Sequence, residues 1–205
     1  MASTGEGLRE RRRVQTQREI HVAALRLAQE HGFDKVTVDM ISAEAGVSPR
    51  TFFNYFPTKE AAVLVAPPGE LPEPLVAEFV ERGAAHPRDV LTDVTRLLVR
   101  DLADNPPQRV EMHAVFELSH RHPALLAGLL ARFDGFQRSI ADAVGQRLGQ
   151  PAEEEVPVLI AALALAAVRT GLERWAREES AGDEDDSPVP HVERSAELLR
   201  TLLTP

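Results

Sequence analysis

The chain has 205 residues, 43% apolar and 27% charged, so it can bury a core and is not disordered throughout. It has no cysteine, which excludes disulfides, thiol nucleophiles and Cys-ligated zinc or iron–sulfur centres. A net charge of −9 argues against nucleic acid as a partner until its distribution is read: residues 1–66 carry 9 Lys/Arg against 8 Asp/Glu, and residues 67–205 carry 14 against 24.

The basic excess is concentrated further, because Arg9, Arg11, Arg12, Arg13 and Arg18 face only Glu10 within residues 9–18. The N-terminus has no apolar stretch behind these arginines, so it is not read as a secretory signal. The longest apolar run, Val156 to Val168, has 13 residues. A membrane span needs about 20. A soluble cytoplasmic protein with no membrane partner is expected.

Helical periodicity recurs from end to end and strand alternation nowhere, which predicts an all-α fold. Residues 1–8 are expected to be disordered. A first helix follows from about Arg9 to His31, with Ile20, Ala23, Ala24, Leu27 and Ala28 on one face and Gly32 as its stop. Thr37 caps a short helix ending near Ala45. Gly46-Val47-Ser48 turns the chain; Ser48 is a natural N-cap, and Pro49 suits the first position of a helix reaching Tyr55. Phe56 precedes proline and leaves the helix, and Thr58 caps a fourth reaching about Val65. Residues 67–74, PPGELPEP, are a semi-rigid connector and the expected boundary between domains 1–66 and 67–205. Beyond it helices are expected near 75–85, 88–104, 107–121, 124–148, 156–180 and 189–203, with an acidic loop from Gly182 to Pro190.

Two short helices joined by a glycine turn make a helix-turn-helix, here residues 38–56. Ile41, Ala45, Val47 and Phe52 would meet inside it, with the small Ser42 where the helices cross. Pro49, Arg50, Thr51, Asn54 and Tyr55 would face outward, as in a helix entering a major groove. Lys59 stands in the first turn of a helix, where a cation opposes the helix dipole. Either an external anion such as a DNA phosphate meets it there, or it is a tolerated exposed lysine.

The run TVDMISAEAGVSPRTFFNYFPTKEAAVL resembles the N-terminal domain of TetR-family transcriptional regulators, in detail over residues 15–65. The resemblance implies an N-terminal three-helix DNA-binding domain and a C-terminal helical domain for ligand binding and dimerisation. It also implies a homodimer on a palindromic operator, most simply a repressor released by a small-molecule effector. Carried over residue by residue, Thr37 would cap the second helix and touch a phosphate. Ser48, Pro49, Arg50, Thr51 and Asn54 would face the groove, and Tyr55 and Lys59 would grip phosphates. Two positions depart from the family: Phe53 stands where a tyrosine is usual, and Ser42 where alanine is. Arg50 could pair with guanine and Asn54 with adenine, the competing partner being phosphate. Arg11, Arg12 and Arg13 suit the DNA backbone or a minor groove better than base reading.

Residues 158–168, VLIAALALAAV, are apolar on all sides, so this helix is expected to be buried over most of its circumference. It is either a core helix within one subunit or, as the resemblance suggests, part of a dimer seam with the last helix. The resemblance also implies an effector pocket, for which Met112, His113, Phe116, Phe133, Phe136, Arg169 and Trp175 are the candidates. Most of those aromatics read equally as plain core. Arg169 either faces inward to an acidic partner or pairs with Glu173 at the rim. His113, Glu117 and His120 share a helix face at i, i+4 and i+7 and could make a metal-responsive regulator, although helix-end histidines are ordinary surface. No metal or other cofactor is expected. No phosphate-binding glycine loop, nucleophile elbow or zinc-protease motif appears, so an enzyme is not expected. The remaining rival is a helical ligand-binding or scaffold protein without specific DNA binding.

Overall fold

A computed structural model describes residues 3–64, 71–178 and 186–203, with side chains from Arg11 onward. Among the described residues there are ten α-helices, one short 3-10 turn and no strand. They are α1 (Ser3–His31), α2 (Val38–Glu44), α3 (Pro49–Tyr55), α4 (Lys59–Val63), α5 (Glu73–Glu81), α6 (Pro87–Asp104), α7 (Arg109–Arg121), α8 (Pro123–Leu148), α9 (Glu155–Arg177) and α10 (Val189–Leu202). Among the described residues, helical backbone begins at Ser3. Residues 65–70, which include the first half of the proline-rich connector, lie outside the described residues, as do residues 179–185 of the acidic loop and its approach.

The described residues gather into two compact units, one within 1–65 and 114–129, the other within 66–113 and 130–205. Residues 114–129, expected in the second domain, therefore group with the first. The first unit has a continuous apolar centre. Ile20, Ala24 and Ala28 of α1 are buried with Phe33, Val36, Ile41, Phe52, Phe56, Val63 and Leu64. Val115, Leu118 and Leu125, from the corner between α7 and α8, are buried in the same unit. Phe33 belongs to a 3-10 turn, Phe33–Lys35, that the helical periodicity did not suggest. Its ring lies 5.3 Å from the His122 ring, and Asp34 is 3.6 Å from His122 Nδ1. Buried His21 is hydrogen-bonded through Nδ1 to the Ala62 carbonyl at 2.8 Å.

The second unit is built around α9, which packs against both α6 and α10. A Cβ on Gly171 would stand 2.5 Å from Val192 Cα, so only glycine lets the α9 and α10 backbones come this close. Trp175 is fully buried; its indole N–H donates to Asp186 at 2.9 Å, and the Arg109 guanidinium lies 5.0 Å from its ring centroid. Arg109 also donates to the Trp175 and Glu178 carbonyls, both at 2.7 Å. Its hydrogen bond to Asp186 holds that carboxyl below the usual range.

Within one chain the burial of α9 is one-sided, so a core helix covered over most of its circumference by its own subunit does not describe it. Ile160, Ala161, Ala164, Leu165, Ala167 and Val168 are buried, whereas Val158, Leu159 and Ala166 are exposed. Apolar on every side, α9 thus packs only half its surface within one chain. It is the one described helix with length and hydropathy suited to a bilayer, and half of that apolar window is packed inside the chain. On α10, Leu198 and Leu202 are likewise open.

Candidate nucleic-acid interface

The helix-turn-helix is set by local chemistry at each of its breaks. At the end of α2 the Val47 N–H donates to the Ser42 carbonyl at 2.9 Å and the Gly46 N–H to the Ala43 carbonyl at 3.3 Å. That pair of bonds is the Schellman closure, and it needs a left-handed residue at Gly46, whose φ is +67°. The hydroxyls of Thr37, Ser48 and Thr58 accept from the N–H groups of Met40, Thr51 and Ala61, capping α2, α3 and α4. Phe56 is extended before Pro57, which ends α3. Ile41, Ser42 and Phe52 are buried between the two helices.

What remains outward on α3 is not uniform. Pro49 is exposed and spent on starting the helix. Ser48 and Thr51 hydroxyls lie 2.9 Å apart, each occupying the other, while the Ser48 oxygen also caps. Arg50 and Asn54 are exposed and Tyr55 half-buried, and none of the three has a hydrogen-bond or ionic partner among the described residues. Phe53 is 57% exposed, edge-on to Phe52 at 5.4 Å. It puts an uncovered phenyl ring on the same outer surface. Arg11, Arg12 and Arg13 are exposed on α1.

Lys59 is the main correction. Its ammonium donates to the carbonyls of Phe33 at 3.0 Å and Val36 at 2.9 Å, and lies 4.4 Å from the Phe33 ring centroid. The cation in the first turn of α4 is thus neither a tolerated surface lysine nor a residue waiting only for an external anion. Two of its three donors tie α4 to the 3-10 turn, and one is left over.

Met112, Phe116, Phe136 and Trp175 are core residues. His113 Nδ1 donates to the Ala176 carbonyl at 3.1 Å. Phe133 and Arg169 line a common cleft, about 420 Å³ between α8 and α9, with the guanidinium 5.7 Å from the ring centroid. Arg169 pairs with Glu173 at 3.0 Å and is half-exposed, so it takes the rim geometry. His120 Nδ1 is hydrogen-bonded to the Phe116 carbonyl at 2.7 Å and Glu117 pairs with Arg121. Among the described residues no three metal-ligating side chains converge.

A family model described as bacterial regulatory proteins, tetR family, matches residues 20–64, and one described as the MftR C-terminal domain matches residues 88–187. The transcriptional regulator TcmR of Streptomyces glaucescens is 29% identical over 83% of this chain and 77% of its own. The mycofactocin biosynthesis transcriptional regulator MftR of Mycobacterium tuberculosis is 28% identical over 83% of this chain and 84% of its own. Among solved structures, a TetR-family transcriptional regulator from Mesorhizobium loti aligns over 93% of this chain and 98% of its own, with 17% identity and a TM-score of 0.48.

Proposed function

The chain belongs to the TetR family of DNA-binding transcriptional regulators, and from that premise we propose that it is a repressor, binding a palindromic operator as a homodimer and leaving it when a small molecule occupies the helical unit. The observation that carries the reading is the set of polar side chains on α3, Arg50, Asn54 and Tyr55, which find no partner inside the described residues. A short helix whose own caps satisfy its backbone, and whose long polar side chains point to solvent, has them ready for base edges and phosphates. Arg50 reads a base, Asn54 supports it, and Tyr55 and the remaining donor of Lys59 hold phosphate. Thr37 stands at the edge of the same surface. Phe53 replaces a hydroxyl contact with an apolar one, suited to a thymine methyl or a sugar.

One such unit presents too few side chains for specific binding at cellular salt, so two copies must act together. The open stripe of α9 with the exposed leucines of α10 is the apolar surface a second copy would cover. The effector acts through its unequal affinity for two states of the dimer, one with recognition helices spaced for the half-sites and one without.

The test is binding of the purified protein to the DNA beside its own gene, followed by random-sequence selection and titrated in salt. Arg50→Ala/Tyr55→Ala runs alongside. Tight binding with a log–log salt slope of several, lost in the variant, is expected, because released counterions report phosphate contacts. Failure of both DNA pools to yield a bound sequence refutes the regulator reading and leaves a helical ligand-binding protein.

A further inference from the structure

The second unit holds a groove that none of the candidate effector residues touches. It lies between α6 and α10 and has a volume of about 840 Å³, within the range of small-molecule sites. Leu91, Val99 and Leu199 give it an apolar surface, and Thr95 contributes a hydroxyl already used on the Leu91 carbonyl. The groove has fixed ends. Arg88, in the first turn of α6, donates to the Leu203 carbonyl just past α10 at 3.1 Å, and Ala103 and Val189 line the opposite end. The two helices therefore run antiparallel. The close fit of Gly171 against Val192 fixes α10 on α9 at the same time.

The charge around this groove runs against the rest of its unit. Arg96, Arg100, Arg194 and Arg200 line it against only Glu193 and Glu197. Glu197 pairs with Arg200. Arg194 is exposed and has no acidic partner among the described residues. Arg96 reaches only Asp93, at 3.5 Å, and Asp93 is already held at 2.8 Å by the buried Arg147 and approached by Arg82. Arg100 shares Glu78 with Arg82. Residues 67–205 have ten more acidic than basic side chains, yet here under-compensated guanidinium groups stand over an apolar floor.

We infer that this groove binds an organic anion with an apolar body, its carboxylate meeting Arg96, Arg100 and Arg194 and its hydrocarbon part lying on Leu91, Val99 and Leu199. A guanidinium pairs with a carboxylate in a two-pronged hydrogen bond, and the floor removes the body from water. The 14 residues of α10 span about 20 Å, long enough for a medium-length chain. The ligand joins α6 to α10 and so stabilises one arrangement of the α9–α10 pair. That regulatory consequence rests on the repressor reading above; the binding itself does not.

The experiment is calorimetric titration of the full chain with decanoate, decanol and decyltrimethylammonium, the two ions below their micelle-forming concentrations and decanol below its solubility limit. Decanoate is expected to bind saturably and at least about tenfold more tightly than either other probe, with an advantage that shrinks as salt is added. Arg96→Gln/Arg194→Gln should abolish that preference without changing the unfolding midpoint. Phe133→Ala/Arg169→Gln, in the other cleft, should leave it intact. Equal binding of decanoate and decanol, no saturation by decanoate, or loss of binding only in the α8–α9 cleft variant overturns the inference. Operator binding by the ligand-free protein is measured separately. Its failure would refute the regulator reading and leave the anion preference standing.

Discussion

Replacing Lys59 separates two roles that a lysine in this place can have. Lys59→Met keeps most of the apolar stem and removes the ammonium, with its hydrogen bonds to the Phe33 and Val36 carbonyls and its stacking on the Phe33 ring. A hydrogen bond to a charged group contributes about 1.5–3 kcal/mol when buried, and a cation–π contact about 0.5–1 kcal/mol at a wet site. Lys59 is half-buried, which favours the low end of each, and water can reach part of what is left. The expected loss is about 2–4 kcal/mol of unfolding free energy. It should read as a lower urea midpoint with an unchanged slope in the transition of the first unit. If the lysine served only to bind phosphate, the variant would keep its stability to within about 0.5 kcal/mol and lose about 0.9 from the salt slope per subunit. That pair of results would refute the clamp.

Gly46→Ala should cost about 1 kcal/mol, because nothing stands within 4 Å of the new Cβ and the penalty is the left-handed backbone alone. Gly46→Asn should cost less, and equal costs in urea unfolding would contradict the turn chemistry. Gly171→Ala should destabilise by about 1–3 kcal/mol, despite alanine's better helix propensity, because its Cβ meets the Val192 backbone rather than a movable side-chain tip; a gain in stability would show that α10 is not seated there. Asp101 is buried, and burial raises its pKa against the opposing hydrogen bond from Asn105. The native state thus holds this proton more tightly than the unfolded chain, and the stabilisation present at low pH is lost as pH rises through the native pKa. Asp101→Asn should therefore gain on the wild type from about pH 4 upward, and a difference independent of pH would count against it. Arg11, Arg12 and Arg13 follow one another on a continuous helix at about 100° each and cannot all face one DNA backbone. Replacing all three by Gln should lower the salt slope by about 1–2 per subunit; a fall near 3 would mean that α1 unwinds on DNA.

The parts that could be read from the sequence are those decided within four or five residues. Thr37, Ser48 and Thr58 each cap the helix that begins after them, Gly46 takes the positive φ its turn requires, and Pro57 ends α3 at Phe56. The internal bonds of Lys59 are not legible in the sequence, because its partners are 23 and 26 residues away, in and just after a turn with no periodic signature. The grouping of residues 114–129 with the first unit is hidden for the same reason. The apolar pattern shows that Leu118 and Leu125 are buried, without showing against what. Phe116, Phe136 and Trp175 are buried, and size and polarity alone do not distinguish a core aromatic from one that lines a pocket. The α6–α10 groove went unseen because its arginines come from helices almost a hundred residues apart.

An acidic protein that binds DNA has to reconcile repulsion at a distance with attraction on contact, and the distribution of side chains indicates how. Bulk charge acts over a Debye length, about 8 Å at physiological salt, so the acid excess of residues 67–205 is screened from DNA lying beyond that range. The contacts proposed above are short, and they belong to residues 1–66, where the balance is slightly positive. Within that stretch the polar side chains have already been sorted. Ser48, Thr51 and most of Lys59 are used inside the domain, which leaves Arg50, Asn54 and Tyr55 without internal partners. A helix that holds its own backbone with its own caps loses little conformational freedom on binding, so more of the interaction free energy of those three residues appears as affinity.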